Sequence, residues 1–235
     1  MDRFYTSPEL ADTLVSLARK RRRAITVADF ACGEGSLLFA AERRWPLASM
    51  IANDISAYAI ASIRKNRPQW KTSCADFLNP RSVRSSALRQ HVGSVDLILL
   101  NPPFSRRNRR TYNIVFGDEK LQASIALAFI LNSLPFLRPS GAILAVLPDG
   151  CLIGTYDEPV WRALRTYYEI EVIRDNARSA FHGVRARTCL VRMTKLEKQV
   201  ALVPSAVDKA ELRILRGQVQ MHSRKTVSTR QGQPL

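Results

Sequence analysis

The sequence predicts a doubly wound α/β sheet, mostly parallel and finished by an antiparallel hairpin. Short runs of branched apolar residues alternate with helical patterns along most of the 235 residues. One of them, Val95-Asp96-Leu97-Ile98-Leu99-Leu100, suits a central strand covered on both faces. It must stop at Asn101-Pro102-Pro103-Phe104, because two prolines cannot donate to a ladder. Four expected strand ends carry an acid or amide, namely Asp29, Asp54, Asp76 and Asn101. In open α/β sheets ligands bind at that edge.

The elements follow in order. Thr6 or Ser7 as N-cap, Pro8 at the first helical position and Glu9 in the first turn open a helix. Its stripe is Leu10, Leu14, Leu17 and Ala18, and the basic run at 19–23 reads as a solvated helix end. Strands are expected at 24–30, 49–54 and 70–75, with helices at 37–44 and 57–66 between them. Asn79-Pro80 opens a weak helix ahead of the strand at 95–100. The polar, basic segment 106–112 lacks periodicity and is expected as a loop. A strongly apolar helix at 121–137, a strand at 141–147 and a helix at 159–168 come next. Strands at 169–173 and 188–193 form the closing hairpin, making seven in all. From 195 onward the pattern weakens. The expected division is a domain over 1–194, then a basic appendage or the start of a truncated recognition module over 195–235.

Composition narrows the class. A hydrophobic fraction of 46% is ample for a packed core. No apolar run approaches the roughly 18 residues of a membrane span, and the N-terminus lacks a signal-like apolar stretch. Cys32, Cys74, Cys151 and Cys189 lie far apart with no Cys-x-x-Cys pair. Reduced, mostly buried thiols in a cytoplasmic protein are expected, with neither a disulfide frame nor a metal site. The net charge of +16 draws polyanions, nucleic acid first. His91, His182 and His222 are isolated and receive no catalytic role.

Gly33-Glu34-Gly35 lets backbone approach a ligand and presents helix N-terminal N–H groups, although a plain tight turn has the same pattern. A dinucleotide fingerprint would want Gly or Ala where Leu38 stands, which counts against NAD. Asp54, at the tip of the second strand, is placed to accept both hydroxyls of a ribose. Asp76 could accept from an adenine amino group, with Phe77 against the ring.

The set Tyr5-Thr6-Ser7-Pro8, Asp29-Phe30-Ala31-Cys32-Gly33-Glu34-Gly35, Asn53-Asp54, Ala75-Asp76-Phe77 and Asn101-Pro102-Pro103-Phe104 resembles the N6-adenine DNA methyltransferases of the modification-subunit type. The resemblance covers about residues 4–194, with Phe30 where that family has proline. It implies a Rossmann-like, seven-stranded methyltransferase sheet with S-adenosyl-L-methionine as cofactor. Thr6 and Asp29 would then hold the methionine end, Asp54 the ribose and Asp76 the adenine. The expected cofactor set is Tyr5, Thr6, Asp29, Phe30, Cys32, Gly33, Gly35, Asp54, Ile55, Asp76, Phe77 and Asn101.

An exocyclic adenine amine is a poor nucleophile, its lone pair being delocalised into the ring. The Asn101 side-chain oxygen and the Pro102 carbonyl could accept its two hydrogens and draw the nitrogen toward sp³ character. The expected catalytic set is Asn101, Pro102, Pro103 and Phe104, with Phe104 stacking on a flipped base. Arg106, Arg107, Arg109 and Arg110 follow where they could grip flanking phosphates. DNA is the favoured substrate, and the short C-terminal remainder leaves three alternatives open: a truncated chain, recognition supplied by a partner subunit, or low specificity. RNA methyltransferases, ribosomal ones among them, share the Asn-Pro-Pro-Phe/Tyr turn, as do enzymes acting on glutamine of a release factor, which the basic charge disfavours. An inactive cofactor-binding adaptor is the non-enzymatic alternative. Phe181-His182-Gly183 and Thr188 could line the base pocket.

Overall fold

The computed structural model describes residues 6–19, 25–103, 111–173 and 188–196, together with the backbone of 220–221. Seven strands form the main sheet: β1 (Thr26–Asp29), β2 (Ser49–Asp54), β3 (Lys71–Cys74), β4 (Val95–Leu100), β7 (Leu137–Pro148), β8 (Tyr168–Ile173) and β9 (Thr188–Lys195). Their spatial order is β3-β2-β1-β4-β7-β9-β8, and only β9 runs against the rest. The chain winds outward from β1 to β3, then returns to place β4 on the other side of β1. That reversal opens a crevice at the carboxyl ends of β1 and β4.

Both faces of the sheet are covered, which is why its strands read as apolar runs. Val27, Leu97, Leu99, Leu144 and Val146 face α1 (Pro8–Ser16), α2 (Ser36–Arg44) and α3 (Ala57–Asn66). Ala28, Ile98, Leu100, Ile143 and Ala145 face the other way, toward α4 (Pro80–Ser85), α5 (Ile125–Ser133) and α7 (Glu158–Arg165). The short α6 (Gly150–Ile153) joins β7 to α7. Asp96 is fully buried in β4, where Oδ2 accepts from Thr26 N–H at 2.9 Å and from Arg138 at 3.2 Å. It ties the amino ends of β1, β4 and β7 together, a role that leaves no charge unpaired inside the sheet.

The structure departs from the sequence reading between β4 and β7. Residues 121–137 are not one helix. Thr111–Phe116 (β5) and Glu119–Ser124 (β6) form an antiparallel hairpin, with Gly117 at φ +62° in its two-residue turn. Tyr112, Ile114 and Phe116 alternate inward, as do Leu121 and Ala123. The period-2 signal was present, but Leu121 and Ala123 merge into the apolar run of α5 and mask it. Ser124 sets the boundary, its hydroxyl accepting from Leu127 N–H at 3.4 Å as the N-cap of α5. The hairpin of β5 and β6 packs on α5 as β7 does, and every residue from Ala126 to Ser133 is buried. Thr111 and Tyr112, expected in a loop, belong to β5. Gln220–Met221 (β10) lies antiparallel on β5. Among the described residues no helix is long and apolar enough to cross a membrane.

Candidate active site

Asp29 ends β1 at the crevice, and the chain then turns through Ala31 to Gly35 into α2. Gly33 (φ +52°) and Gly35 (φ +91°) hold left-handed backbone that side-chain-bearing residues rarely adopt. The turn is pinned by Cys32 N–H to the Asn53 carbonyl at 2.9 Å and Gly35 N–H to the Cys32 carbonyl at 2.7 Å. Asp54, at the tip of β2, accepts from Gly33 N–H at 2.8 Å through Oδ2 and from Ser56 N–H at 2.8 Å through Oδ1. One carboxylate thereby fixes both the glycine turn and the start of α3.

The spacing of the strand tips depends on Asn53, which the sequence reading quoted but gave no role. It is fully buried. Its amide donates to the Phe30 carbonyl at 3.0 Å and the Ala75 carbonyl at 3.1 Å, and accepts from Ala75 N–H at 3.1 Å. The turns after β1, β2 and β3 are thus held at set distances, and Asp29, Asp54 and Asp76 with them. The clue was a polar residue one step before Asp54 at the end of an apolar strand. Asp76 caps its own turn, accepting from Leu78 N–H at 3.0 Å, while its N–H donates to Ser82 Oγ at 3.0 Å.

A cavity at the switch point is lined by Thr6, Asp29, Gly33, Ser36, Leu37 and Asn101, among others. The N-terminus of α2 opens onto it, and Gly35 supplies no side-chain cap. Across the cavity Asn101 donates from Nδ2 to Thr6 Oγ1 at 2.9 Å. Asp54, Ile55, Asp76 and Phe77 are not part of this lining. Ile55, 64% exposed, follows Asp54 at the same sheet edge.

The cavity's electrostatics are set by a buried carboxyl. Asp29 is 1% exposed, and burial pushes its carboxyl up to about 8 despite the Ala31 N–H donated at 3.0 Å; the nearby Asp54 raises it further. Burial, with Asp29 and Asp54 adding to it, also holds the Cys32 thiol well above its ordinary value, so it is no nucleophile.

Two expected cofactor contacts are corrected. Phe77 is 3% exposed and stacks on Phe30 at 4.4 Å with 13° between the rings. Phe30 in turn meets Phe136 at 4.7 Å. Both rings belong to the core on the α5 side of the sheet, where Phe77 also meets Phe129 and Phe136. Phe77→Leu is therefore expected to cost about 1 kcal/mol of stability in a denaturant titration while leaving cofactor affinity within about twofold. Tyr5, Phe104 and the four arginines Arg106, Arg107, Arg109 and Arg110 lie outside the described residues, as do Phe181-His182-Gly183.

A sheet of this order with one antiparallel strand is a fold the chain shares with solved S-adenosylmethionine-dependent methyltransferases. The chain belongs to the methyltransferase small domain family, whose model matches residues 10–150, and S-adenosylmethionine is its cofactor. It is similar to ribosomal RNA small subunit methyltransferase C of Pseudomonas entomophila, with 35% identity over 78 residues, 33% of this chain and 22% of that protein. The same enzyme of Stutzerimonas stutzeri is 29% identical over 115 residues, 47% of this chain and 32% of its own length. The matched stretch thus spans about a fifth to a third of these curated relatives. Among solved structures, the methyltransferase subunit of a type I restriction-modification system from Streptococcus thermophilus matches 82% of this chain and 45% of its own. Its TM-score is 0.63 at 21% identity. TrmN from Thermus thermophilus matches at a TM-score of 0.53 and 20% identity, covering 80% of this chain and 49% of its own. At these identities the structural likenesses speak for the fold.

The residues present fit the cofactor. A buried carboxyl with no basic partner among the described residues suits its ammonium. The uncapped N-terminus of α2 suits its carboxylate. Asp54 stands at the tip of β2, where a ribose would lie.

Proposed function

We propose that this chain methylates the exocyclic amino group of a base in RNA, with ribosomal RNA the first candidate. The observation that carries the chemistry is Asn101, brought by β4 to the cavity that also holds Asp29 and Gly33. The similarity to two ribosomal RNA enzymes favours RNA over the DNA substrate expected from the sequence. The net charge of +16 suits either polyanion.

When bound, the cofactor supplies an electrophilic methyl group on a sulfonium sulfur. Asp29, Thr6 and the N-terminus of α2 would hold its amino-acid end. Asp54 would hold the ribose and Asp76 the adenine edge. Asn101 Oδ1 and the Pro102 carbonyl accept the amine hydrogens of the target base and localise its lone pair. Pro102 and Pro103 keep that turn stiff. Phe104 stacks on the base, and the surplus proton leaves to water once nitrogen has formed its new bond. Positioning and electrostatics supply the rate, without a strong general base.

Arg106, Arg107, Arg109 and Arg110 contact backbone phosphates beside the target. Replacing all four by serine is expected to flatten the dependence of log Kd on log salt by about 3 for single-stranded RNA, measured by filter binding. An unchanged slope would remove them from the interface. Residues 1–194 form the catalytic unit in this reading, with 195–235 as a basic appendage.

The opening Tyr5-Thr6-Ser7-Pro8 with its following helix favours a second reading, N6-adenine methylation of DNA. Transfer of label from tritiated cofactor to small-subunit ribosomal RNA and to duplex DNA, followed by nucleoside digestion, separates the two. Label on an exocyclic amine in RNA supports the first reading, and label confined to adenine in DNA replaces it with the second. Cofactor binding with no transfer to either nucleic acid would point to the adaptor.

A further inference from the structure

Ser7, not Thr6, caps α1: its Oγ accepts from Leu10 N–H at 3.3 Å. Thr6 is left for another task, and at 8% exposure it is too buried to be an incidental surface hydroxyl. It reaches across 95 positions of sequence to Asn101, taking a hydrogen from Nδ2 at 2.9 Å. Both side chains line the cavity shared with Asp29 and Gly33.

The direction of this hydrogen bond has a consequence for the chemistry. An asparagine amide has a donor end and an acceptor end, and a hydroxyl has one hydrogen and two lone pairs. With Nδ2 given to Thr6, Oδ1 is turned away from Thr6, the orientation that can accept from an amine. If the Thr6 hydroxyl instead donated to Oδ1, Nδ2 would face the base and its hydrogens would oppose those of the amine. What decides between the two is where the Thr6 hydrogen goes. The carboxylate of a cofactor bound in the cavity would take it, leaving the Thr6 oxygen only lone pairs to offer Asn101.

We infer that Thr6 is a positioning residue: its hydroxyl, donating to the carboxylate of bound cofactor, sets the Asn101 amide with its oxygen toward the base. This rests on the methyl-transfer reading above. Bound cofactor then locks the amide orientation that the structure already shows, through two hydrogen bonds and no movement of the backbone.

The test compares Thr6→Val and Thr6→Ser with the wild type in three measurements. These are cofactor affinity by calorimetry, kcat at saturating cofactor on the nucleic acid that accepts label, and the ¹H–¹⁵N resonances of the Asn101 side-chain amide. The last are assigned by their loss in Asn101→Asp and titrated with S-adenosylhomocysteine. In the wild type the amide pair shifts on saturation. In Thr6→Val kcat falls about 30-fold or more, affinity weakens less than about tenfold, and the amide pair no longer responds. Thr6→Ser, which keeps the hydroxyl, restores the amide response and stays within about threefold in kcat. A Thr6→Val enzyme with wild-type kcat and a wild-type amide response would overturn the inference, and so would a serine variant as impaired as valine. Should the valine variant not fold, the serine variant and the wild-type titration still decide: an amide pair indifferent to S-adenosylhomocysteine in both overturns it. Wild type that binds no S-adenosylhomocysteine would overturn the methyl-transfer reading itself, a failure distinct from the others.

Discussion

Asn101→Ala is expected to lower methyl transfer about 10²- to 10³-fold, the usual effect of removing one preorganised polar contact to the reacting group. The amide is the group that β4 delivers to the cavity, and the prolines after it leave the turn little freedom to compensate. Cofactor affinity should change less than about tenfold, because Asp29, the glycine turn and Asp54 remain. Single-turnover label transfer and calorimetry on the same preparation separate the two effects. Transfer at the wild-type rate would remove Asn101 from the chemistry, whereas loss of cofactor binding alone would make it only a pocket residue.

The second large effect concerns Asp29. Its carboxyl is held at about 8 by burial, so in the unliganded protein at pH 7 it is mostly protonated. An ammonium placed beside it favours the ionised form, and cofactor binding then releases about 0.9 proton at pH 7. Affinity should rise with pH about tenfold per unit up to about 8 and level off above. Calorimetry in buffers of different ionisation enthalpy counts the proton directly. Asp29→Asn is expected to abolish both the release and the pH dependence while weakening binding; a pH-independent wild type would sink the assignment.

The same residue makes a prediction about stability, with the sign set by its raised value. In the unfolded chain the carboxyl returns to its ordinary value near 3.8. The folded state therefore binds the extra proton between about 4 and 8, and stability is lost as pH rises through that window. The contribution is fully present below the unfolded value and gone above about 8. Asp29→Asn keeps an acceptor for Ala31 N–H and removes the charge. Its gain over wild type should be larger at pH 8 than at pH 4 by about 5 kcal/mol, read from denaturant midpoints. A residue that destabilises the empty protein and strengthens the loaded one is a mark of a binding site.

Much of this was legible from local signals. Val95 to Leu100 had to be a central strand, and Asn101 had to stand at its end, because prolines terminate pairing wherever they fall. The strand tips Asp29 and Asp54 followed from alternation of apolar runs with helical periods. The glycine turn was legible too, since Gly33 and Gly35 adopt backbone angles that few other residues tolerate. The hairpin of β5 and β6 was lost where a period-2 pattern ran without a break into a fully buried helix, and a helix buried all round shows no periodicity to mark its start. Phe77 was misplaced for a related reason. A residue next to a strand tip can point to the edge or into the layer, and only its neighbours Phe30, Phe129 and Phe136 decide.

By itself, then, the sequence determined the strands of the main sheet and the polar residues Asp29, Asp54 and Asn101 at the ends of β1, β2 and β4, because these follow from period, proline and glycine within a few positions of chain. Only the tertiary structure decided which tips share a cavity, that Asn53 spaces them, that Asp29 is buried enough to hold its proton, and that Thr6 rather than Ser7 meets Asn101. Those are contacts between segments 20 to 95 positions apart. Burial and hydrogen bonding at such separations depend on how the layers close, which no local pattern encodes.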